Sequence, residues 1–345
     1  MGIRKNIGGK DNIYILGIET SCDDTCASVI GNGSEILSNI VSSQDEIHRK
    51  YGGIVPEVAS RRHIEMIDIV IREALEKAGK SLKEIDAISV TNRPGLIGSL
   101  LVGVGAAKAI SYAGKIPLIA VNHLEAHLYS NLLENPGLKG DFLGLIVSGG
   151  HSSLYLVDGD WKISEVGHTV DDAAGEAFDK IAVYLGLGYP GGPIIDRLAK
   201  EGNEEAIDLP RPMMDSGDFN FSFSGLKTAL IYRTKKNRDL LKKSNSADLV
   251  ASFQKAVVDV LVKKTIWAAK ESGVDRVLVS GGVAANTRLR EELVKRGEEN
   301  NISIYIPPLY LCMDNAAMVG CLGYYRYIRG SISDLEIDVS SKSDF

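Results

Sequence analysis

Short apolar runs alternate with stretches of helical periodicity along most of the chain, and the order of elements occurs twice. The run IYILGIE (13–19) ends in the small polar turn TSCDD (20–24). TCASVI (25–30) is a second run, GNG a tight turn, and 34–41 a third strand. Further along, FLGLIV (142–147) leads into the turn SGGHS, the run SLYLV (153–157), the turn DGD and a strand from Trp161. Each triplet feeds a helix. Ile64, Ile67, Ile71, Ala74, Leu75 and Ala78 follow amphipathic spacing. DDAAGEAFDKIAVYLG (171–186) opens on acidic residues that suit a helix N-terminus.

The second part of each half matches too. IDAISV (85–90) is a strand, TNRPG turns into a glycine- and alanine-rich helix over 96–113, and IPLIAV (116–121) is the next strand. In the other half DRVLV (275–279), SGGVAAN, a helix over 286–297 and ISIYIP (302–307) play the same parts. The period is far too long for a solenoid. The pattern predicts a duplicated α/β chain of two domains with a cleft between them. Residues 1–135 form the first, with 313–345 packing back on it, and 136–312 form the second.

Composition narrows the function classes. The chain has 345 residues, 44% of them hydrophobic, as in ordinary globular proteins. No apolar run reaches the roughly 18–20 residues needed to span a bilayer. The segment MGIRKNIGGKDN lacks the apolar core of a secretory signal, and Asn6 breaks the myristoylation pattern. The expectation is a cytoplasmic protein without membrane contact. Cys22, Cys26, Cys312 and Cys321 lack C-x-x-C spacing and read as reduced thiols. A net charge of −6 argues against coating nucleic acid by bulk charge. Arg61-Arg62-His63 and the stretch 235–243 are candidate basic surfaces, although such runs are more often solvated faces.

Three turns join a strand to small polar residues: TSCDD (20–24), VSGGHSS (147–153) and VSGGVAAN (279–286). Backbone N–H groups in such turns can cradle phosphate. There is no Walker motif, and no G-x-G-x-x-G follows the first strand. Duplicated glycine turns in a duplicated fold resemble the actin, sugar-kinase and seventy-kilodalton chaperone (ASKHA) superfamily. That resemblance implies a central nucleotide cleft. It also implies that acidic residues beside the first turn, here Glu19, Asp23 and Asp24, face phosphates or a metal; they are the candidate catalytic acids. The competing reading is a solvated turn.

NHLEAHLYS places His123 and His127 four residues apart. On a helix they are separated by about 40° and share a face, whereas Glu125 lies about 200° from His123 and points away. A zinc protease needs H-E-x-x-H with its general base directly after the first histidine. This chain has H-L-E-A-H. The duplication matches the histidine helix to the segment beginning near Asp314. Two histidines from one half and Asp314 from the other would meet across the cleft as a three-ligand set with open positions, suited to iron or zinc.

GIETSCDDTCASVI, GGIVPEVASRRHIE, NHLEAHLYS, VSGGHSSLYLV, DDAAGEAFDKIAVYLGLGYPGGPIIDRLA, FSFSGLKTA, SGGVAANTRLRE and MDNAAMVG together resemble the tRNA N6-adenosine threonylcarbamoyltransferases, the TsaD family, in its bacterial branch. The resemblance covers roughly residues 13–328. It implies transfer of a threonylcarbamoyl group from threonylcarbamoyl-adenylate, made by a separate synthase, to N6 of the adenosine beside the anticodon of ANN-decoding tRNAs. AMP is released. It implies a divalent metal on His123, His127 and Asp314, iron preferred and zinc the alternative. Magnesium can accompany ATP or ADP in the cleft. Implied substrate contacts are Ile146, Val147, Ser148, Gly149, Gly150, Asp179, Gly192, Asp196 and Asn286. Ile146 stands where archaeal and eukaryotic relatives carry a tyrosine metal ligand. Implied partners are tRNA, a TsaB-like paralogue and a TsaE-like P-loop ATPase. Three rivals stay open on the residues alone: a small-molecule kinase, a metalloprotease and a non-enzymatic nucleotide clamp.

Overall fold

The structure, a computed structural model, describes residues 12–343; the features read from residues 1–11 lie outside it. The strands are β1 Tyr14–Glu19, β2 Thr25–Gly31, β3 Glu35–Ser42, β4 Ala87–Arg93, β5 Leu118–Asn122, β6 Phe142–Val147, β7 Ser152–Val157, β8 Ile163–His168, β9 Arg276–Ser280 and β10 Ser303–Tyr305. The helices begin with α1 Asp45–Arg49, α2 Pro56–Ala78, α3 Ile97–Gly114, α4 His123–Glu134, α5 Ala174–Tyr184 and α6 Gly191–Ala199. They continue with α7 Ser224–Lys236, α8 Ser246–Glu271, α9 Thr287–Glu299, α10 Leu309–Cys312 and α11 Ala316–Ile328.

The chain divides into two compact units. One comprises Met1–Leu138 and Asp314–Phe345, the other Lys139–Met313. Each is built on one five-stranded sheet, ordered β3-β2-β1-β4-β5 in the first and β10-β9-β6-β7-β8 in the second. In both, three strands run as antiparallel neighbours and two more pair in parallel, so the repeat seen in the sequence is a repeat of topology.

In the first unit the β2–β3 turn uses Asn32 and Gly33, both at positive φ, as a tight hairpin demands. Helix α2 starts with Pro56 and stops at Gly79, whose φ of 62° lets its N–H and that of Lys80 return to Glu76 and Leu75. Its buried stripe contains His63, Val70, Ile71 and Ala74. Ile64, expected in that stripe, is 66% exposed: the stripe is centred one residue earlier, on His63. Helix α3 corrects the statement about apolar runs. By length and composition it could cross a membrane. In the structure Val104 and Ala107 join the core with Val70, Ile88 and Val90.

A larger correction concerns Asp314. Matching the two halves placed it opposite the histidines, while the domain bounds put 313–345 with the first half; it lies in the histidines' own unit. The cause is the packing of α11. A Cβ on Gly17 of β1 would strike the Ala316 carbonyl, and one on Gly323 would strike Ser89 of β4. These glycines let the helix backbone approach the sheet. Ser28 Oγ then donates to the Ala316 carbonyl at 2.6 Å and Ser89 Oγ to the Val319 carbonyl at 2.9 Å. Helix α11 therefore belongs to the first sheet.

The second unit is organised around α8, which buries Phe253, Val257, Val260 and Leu261 against Leu145, Phe178 and Ile181. Helix α5 begins at Ala174, after the acidic pair expected in its first turn. Asp171 instead accepts the Phe223 and Ser224 N–H groups at the start of α7, at 2.8 and 3.2 Å. Asp172 pairs with Lys180 and Lys227.

Candidate metal centre

Local sequence sets the histidines in place. Asn122 ends β5 and caps α4, its Oδ1 accepting the N–H of Leu124 at 2.8 Å and of Glu125 at 3.3 Å. That cap starts the helix at His123 and puts His127 one turn on. Asn315 caps α11 in the same way through the Met318 N–H, which leaves Asp314 just ahead of the helix.

The three side chains converge. Asp314 Oδ1 lies 3.5 Å from His123 Nε2 and 3.2 Å from His127 Nε2. The imidazoles meet edge to face with centroids 4.6 Å apart. One ligand atom from each residue falls within 4.8 Å of the others. Both histidines are buried, and His127 Nδ1 has no hydrogen-bond partner among the described residues. Two imidazole nitrogens face one carboxylate oxygen at 3.5 and 3.2 Å. A cation among the three would satisfy all of them, so the donor set fits a divalent metal with N/O ligands.

Glu19 lies behind this set, fully buried. Its Oε2 is 2.9 Å from His123 Nδ1 and accepts the Thr91 hydroxyl at 2.6 Å; its Oε1 accepts the Ser21 N–H at 2.5 Å. Burial alone would raise its pKa, but His123 overcomes this and holds the carboxyl below the usual range. Burial disfavours the His123 imidazolium in turn, and Asp314 and Glu19 outweigh it, lifting His123 to about 9. Burial and then the charge of His123 hold His127 below its ordinary value despite Asp314.

The other two acids of the first turn sit beside this centre. Burial, then Asp23 and Asp314, raise Asp24 to about 8, and its Oδ1 is buried without a partner among the described residues. Burial and Asp314 also raise Asp23. The turn is braced by His63, which hydrogen-bonds Thr25 Oγ1 at 2.8 Å and the Cys22 carbonyl at 3.0 Å. His63 was read only as part of a basic run. Its place in the buried helical stripe was the available signal. Glu125 points away from the metal face as the spacing requires, and it forms an ion pair with Arg326 of α11. The general base that a metalloprotease would need is therefore engaged elsewhere.

The remaining implied site residues lie in the second unit. Ile146 and Val147 are fully buried residues of β6, paired there with Ser153 and Ser152 of β7. Ser148 closes its turn, its N–H donating to the His151 carbonyl and its Oγ accepting the His151 N–H. A Cβ on Gly149, Gly150 or Gly192 would meet open space. Asp179 accepts the Gly191 N–H at 2.6 Å and so holds the start of α6. Asp196 lies in the middle of α6, not in a first turn, and accepts the N–H and hydroxyl of Thr287 at 3.0 and 2.8 Å. Asn286 caps α9 and donates to Gln254 Oε1 at 2.8 Å. Asp196, Gln254, Thr287 and Arg288 line one cavity of about 450 Å³. Of the basic candidates, Arg61 and Arg62 are tied to Glu57 and Glu65, and Lys242 to Asp239. The cysteines are free thiols.

The family model for tRNA N6-adenosine threonylcarbamoyltransferase, TsaD, matches residues 35–321. The chain belongs to this family. It is 50% identical over 327 residues to the tRNA N6-adenosine threonylcarbamoyltransferase of Clostridioides difficile, covering 95% of this chain and 97% of that one. The Caldicellulosiruptor saccharolyticus relative of the same name is 52% identical over 321 residues, covering 93% and 95%. As a member of this family, the chain is a transferase that modifies tRNA. Among solved structures, component A of the Acidaminococcus fermentans (R)-2-hydroxyglutaryl-CoA dehydratase superposes with a TM-score of 0.57 at 16% identity, covering 91% of this chain and 98% of that one. Full-length HypF, in a phosphate- and nucleotide-bound form, gives 0.59 at 15%, covering 92% and 46%. At such identities these show the fold alone, two α/β units each built on a five-stranded sheet.

Proposed function

We propose that this TsaD-family chain transfers the threonylcarbamoyl group of threonylcarbamoyl-adenylate to N6 of the adenosine beside the anticodon of ANN-decoding tRNAs. The observation that carries the reading is the convergence of His123, His127 and Asp314 in a chain of this family. In the reaction a bond forms between N6 and the carbamoyl carbon. The carbon–oxygen bond to the phosphate breaks, AMP leaves with its electrons, and one N6 proton departs. An exocyclic amine is a weak nucleophile because its lone pair is delocalised into the purine.

The divalent ion, iron preferred and zinc the alternative, supplies Lewis acidity toward the carbonyl or phosphate oxygens when bound. His123, His127 and Asp314 hold it. The Ser148-Gly149-Gly150 turn offers its backbone to the phosphate or carbamoyl end of the adenylate, a role supported by the open space around both glycines. Asp179, Gly192, Asp196 and Asn286 are the further substrate contacts of this reading. Magnesium accompanies ATP or ADP when either replaces the adenylate. Asp24, whose Oδ1 is buried without a partner among the described residues, is the acid of the first turn free to exchange a proton.

The reaction is placed in the cytoplasm, with a TsaB-like paralogue, a TsaE-like ATPase and a separate adenylate synthase as partners. Incubation with unmodified tRNA, threonylcarbamoyl-adenylate and these partners, followed by nucleoside analysis, should yield threonylcarbamoyladenosine. Asp24→Asn should lower the rate by roughly 10²–10⁴-fold, the usual weight of general acid–base catalysis. Unmodified adenosine after incubation with the wild type would refute the assignment.

A further inference from the structure

We infer that Glu19 is a positioning residue of the metal centre, which fixes the tautomer and orientation of His123 from behind. The inference rests on the reading of His123, His127 and Asp314 as metal ligands. It departs from the expectation that Glu19, like its neighbours in the first turn, faces the phosphates.

The geometry leaves Glu19 one role. The residue ends β1, and its side chain is fully enclosed in protein. Three donors converge on its two oxygens. Thr91 Oγ1 and His123 Nδ1 meet Oε2 at 2.6 and 2.9 Å, and the Ser21 backbone N–H meets Oε1 at 2.5 Å. An ionised carboxylate accepts all three; an amide in its place would point an N–H₂ group at another donor. With Nδ1 carrying the hydrogen toward Glu19, the lone pair of His123 lies on Nε2, the nitrogen that faces Asp314. Carboxylate behind, imidazole between and metal in front is a recurrent arrangement that fixes the ring and raises ligand basicity.

Two further observations favour it. The two ligating histidines are not equivalent: His127 Nδ1 has no partner among the described residues, so Glu19 supports one ligand only. A divalent cation would also offset the two carboxylates that meet His123, those of Glu19 and Asp314. A buried anion without such a partner would be costly.

The test measures zinc affinity by competition with a chromophoric chelator, and the d–d spectrum of the cobalt-substituted protein. Metal-stripped wild type, Glu19→Gln and Thr91→Val are compared, with folding checked by circular dichroism. Glu19→Gln should weaken zinc binding by about 10–100-fold, the range for an outer partner of a ligating histidine. It should also shift the cobalt spectrum, because His123 is freed to turn. Thr91→Val removes one of the three donors and touches no ligand; it should weaken binding in the same direction by less. Folded Glu19→Gln with wild-type zinc affinity and cobalt spectrum would overturn the inference. If Glu19→Gln does not fold, unchanged affinity and spectrum in Thr91→Val would do so. Failure of the wild type itself to bind zinc or cobalt would instead refute the metal assignment on which the inference stands.

Discussion

Glu125 of α4 and Arg326 of α11 form an ion pair whose side chains are 13% and 28% exposed. Arg326 also donates to the Ala120 carbonyl at 2.5 Å, so the guanidinium ties the middle of β5, the helix of the histidines and the helix behind Asp314 together. Glu125 is thereby explained without chemistry. Glu125→Ala leaves Arg326 without its carboxylate and should lower stability by about 1–3 kcal/mol, while zinc affinity and transfer per folded molecule stay close to wild type. Urea denaturation beside a zinc titration measures both. A stable variant that has lost transfer would return Glu125 to the mechanism.

The pH dependence of the metal-free protein has a definite sign. Folded His123 titrates at about 9, above the ordinary 6.5. Its contribution to stability is full below pH 6.5 and is lost as pH rises toward 9. Asp24 acts in the same direction: its carboxyl is lifted from 3.8 to about 8, so ionising it in the folded state costs stability as pH rises across that range. The urea midpoint of stripped protein should fall between pH 6.5 and 9. Metal must displace the His123 proton, so apparent affinity should rise about tenfold per pH unit below 9. A flat midpoint together with a flat affinity would contradict this account of His123.

Gly149 should tolerate a side chain structurally, since a Cβ there meets only open space. Gly149→Val should therefore fold as well as wild type yet bind nucleotide at least about tenfold more weakly, a loss on the order of 1.4 kcal/mol, because the branched chain fills the space a phosphate would take. Calorimetric titration with ATP measures this. Unchanged affinity would remove the turn from the binding site.

Much of the fold was legible because period and turn chemistry act locally. The strand–helix order, the duplicated turns and the shared face of His123 and His127 all depend on neighbours within a few residues. The allegiance of Asp314 was legible only in part: the domain bounds put 313–345 with the first half, whereas the matching of elements put Asp314 in the second. It follows from Gly17, Ser28, Ser89 and Gly323 letting α11 settle on the first sheet, and those residues meet only after the chain has folded. Glu19 shows the same limit. A charged residue closing a fully buried strand was a visible signal of a special role. Its actual partners, Thr91 and His123, come from β4 and α4, and no local pattern links them. Ile64 failed for a smaller reason: apolar spacing alone could not show that the stripe of α2 is centred on a histidine.

The central claim is metal-dependent transfer through His123, His127 and Asp314, and single-turnover assays on stripped protein test it most directly. Threonylcarbamoyl-adenylate labelled in its threonine, unmodified tRNA and the partner proteins are combined with metal-free chain, and label in the tRNA is counted before and after iron(II) or zinc is returned. The account predicts no more than about 1% of the restored rate without metal, a barrier difference of at least about 2.7 kcal/mol. It also predicts recovery in wild type on metal addition and no recovery in His127→Ala or Asp314→Ala at the same metal concentration. Full transfer by the stripped wild type, or full recovery in the folded variants, would contradict it.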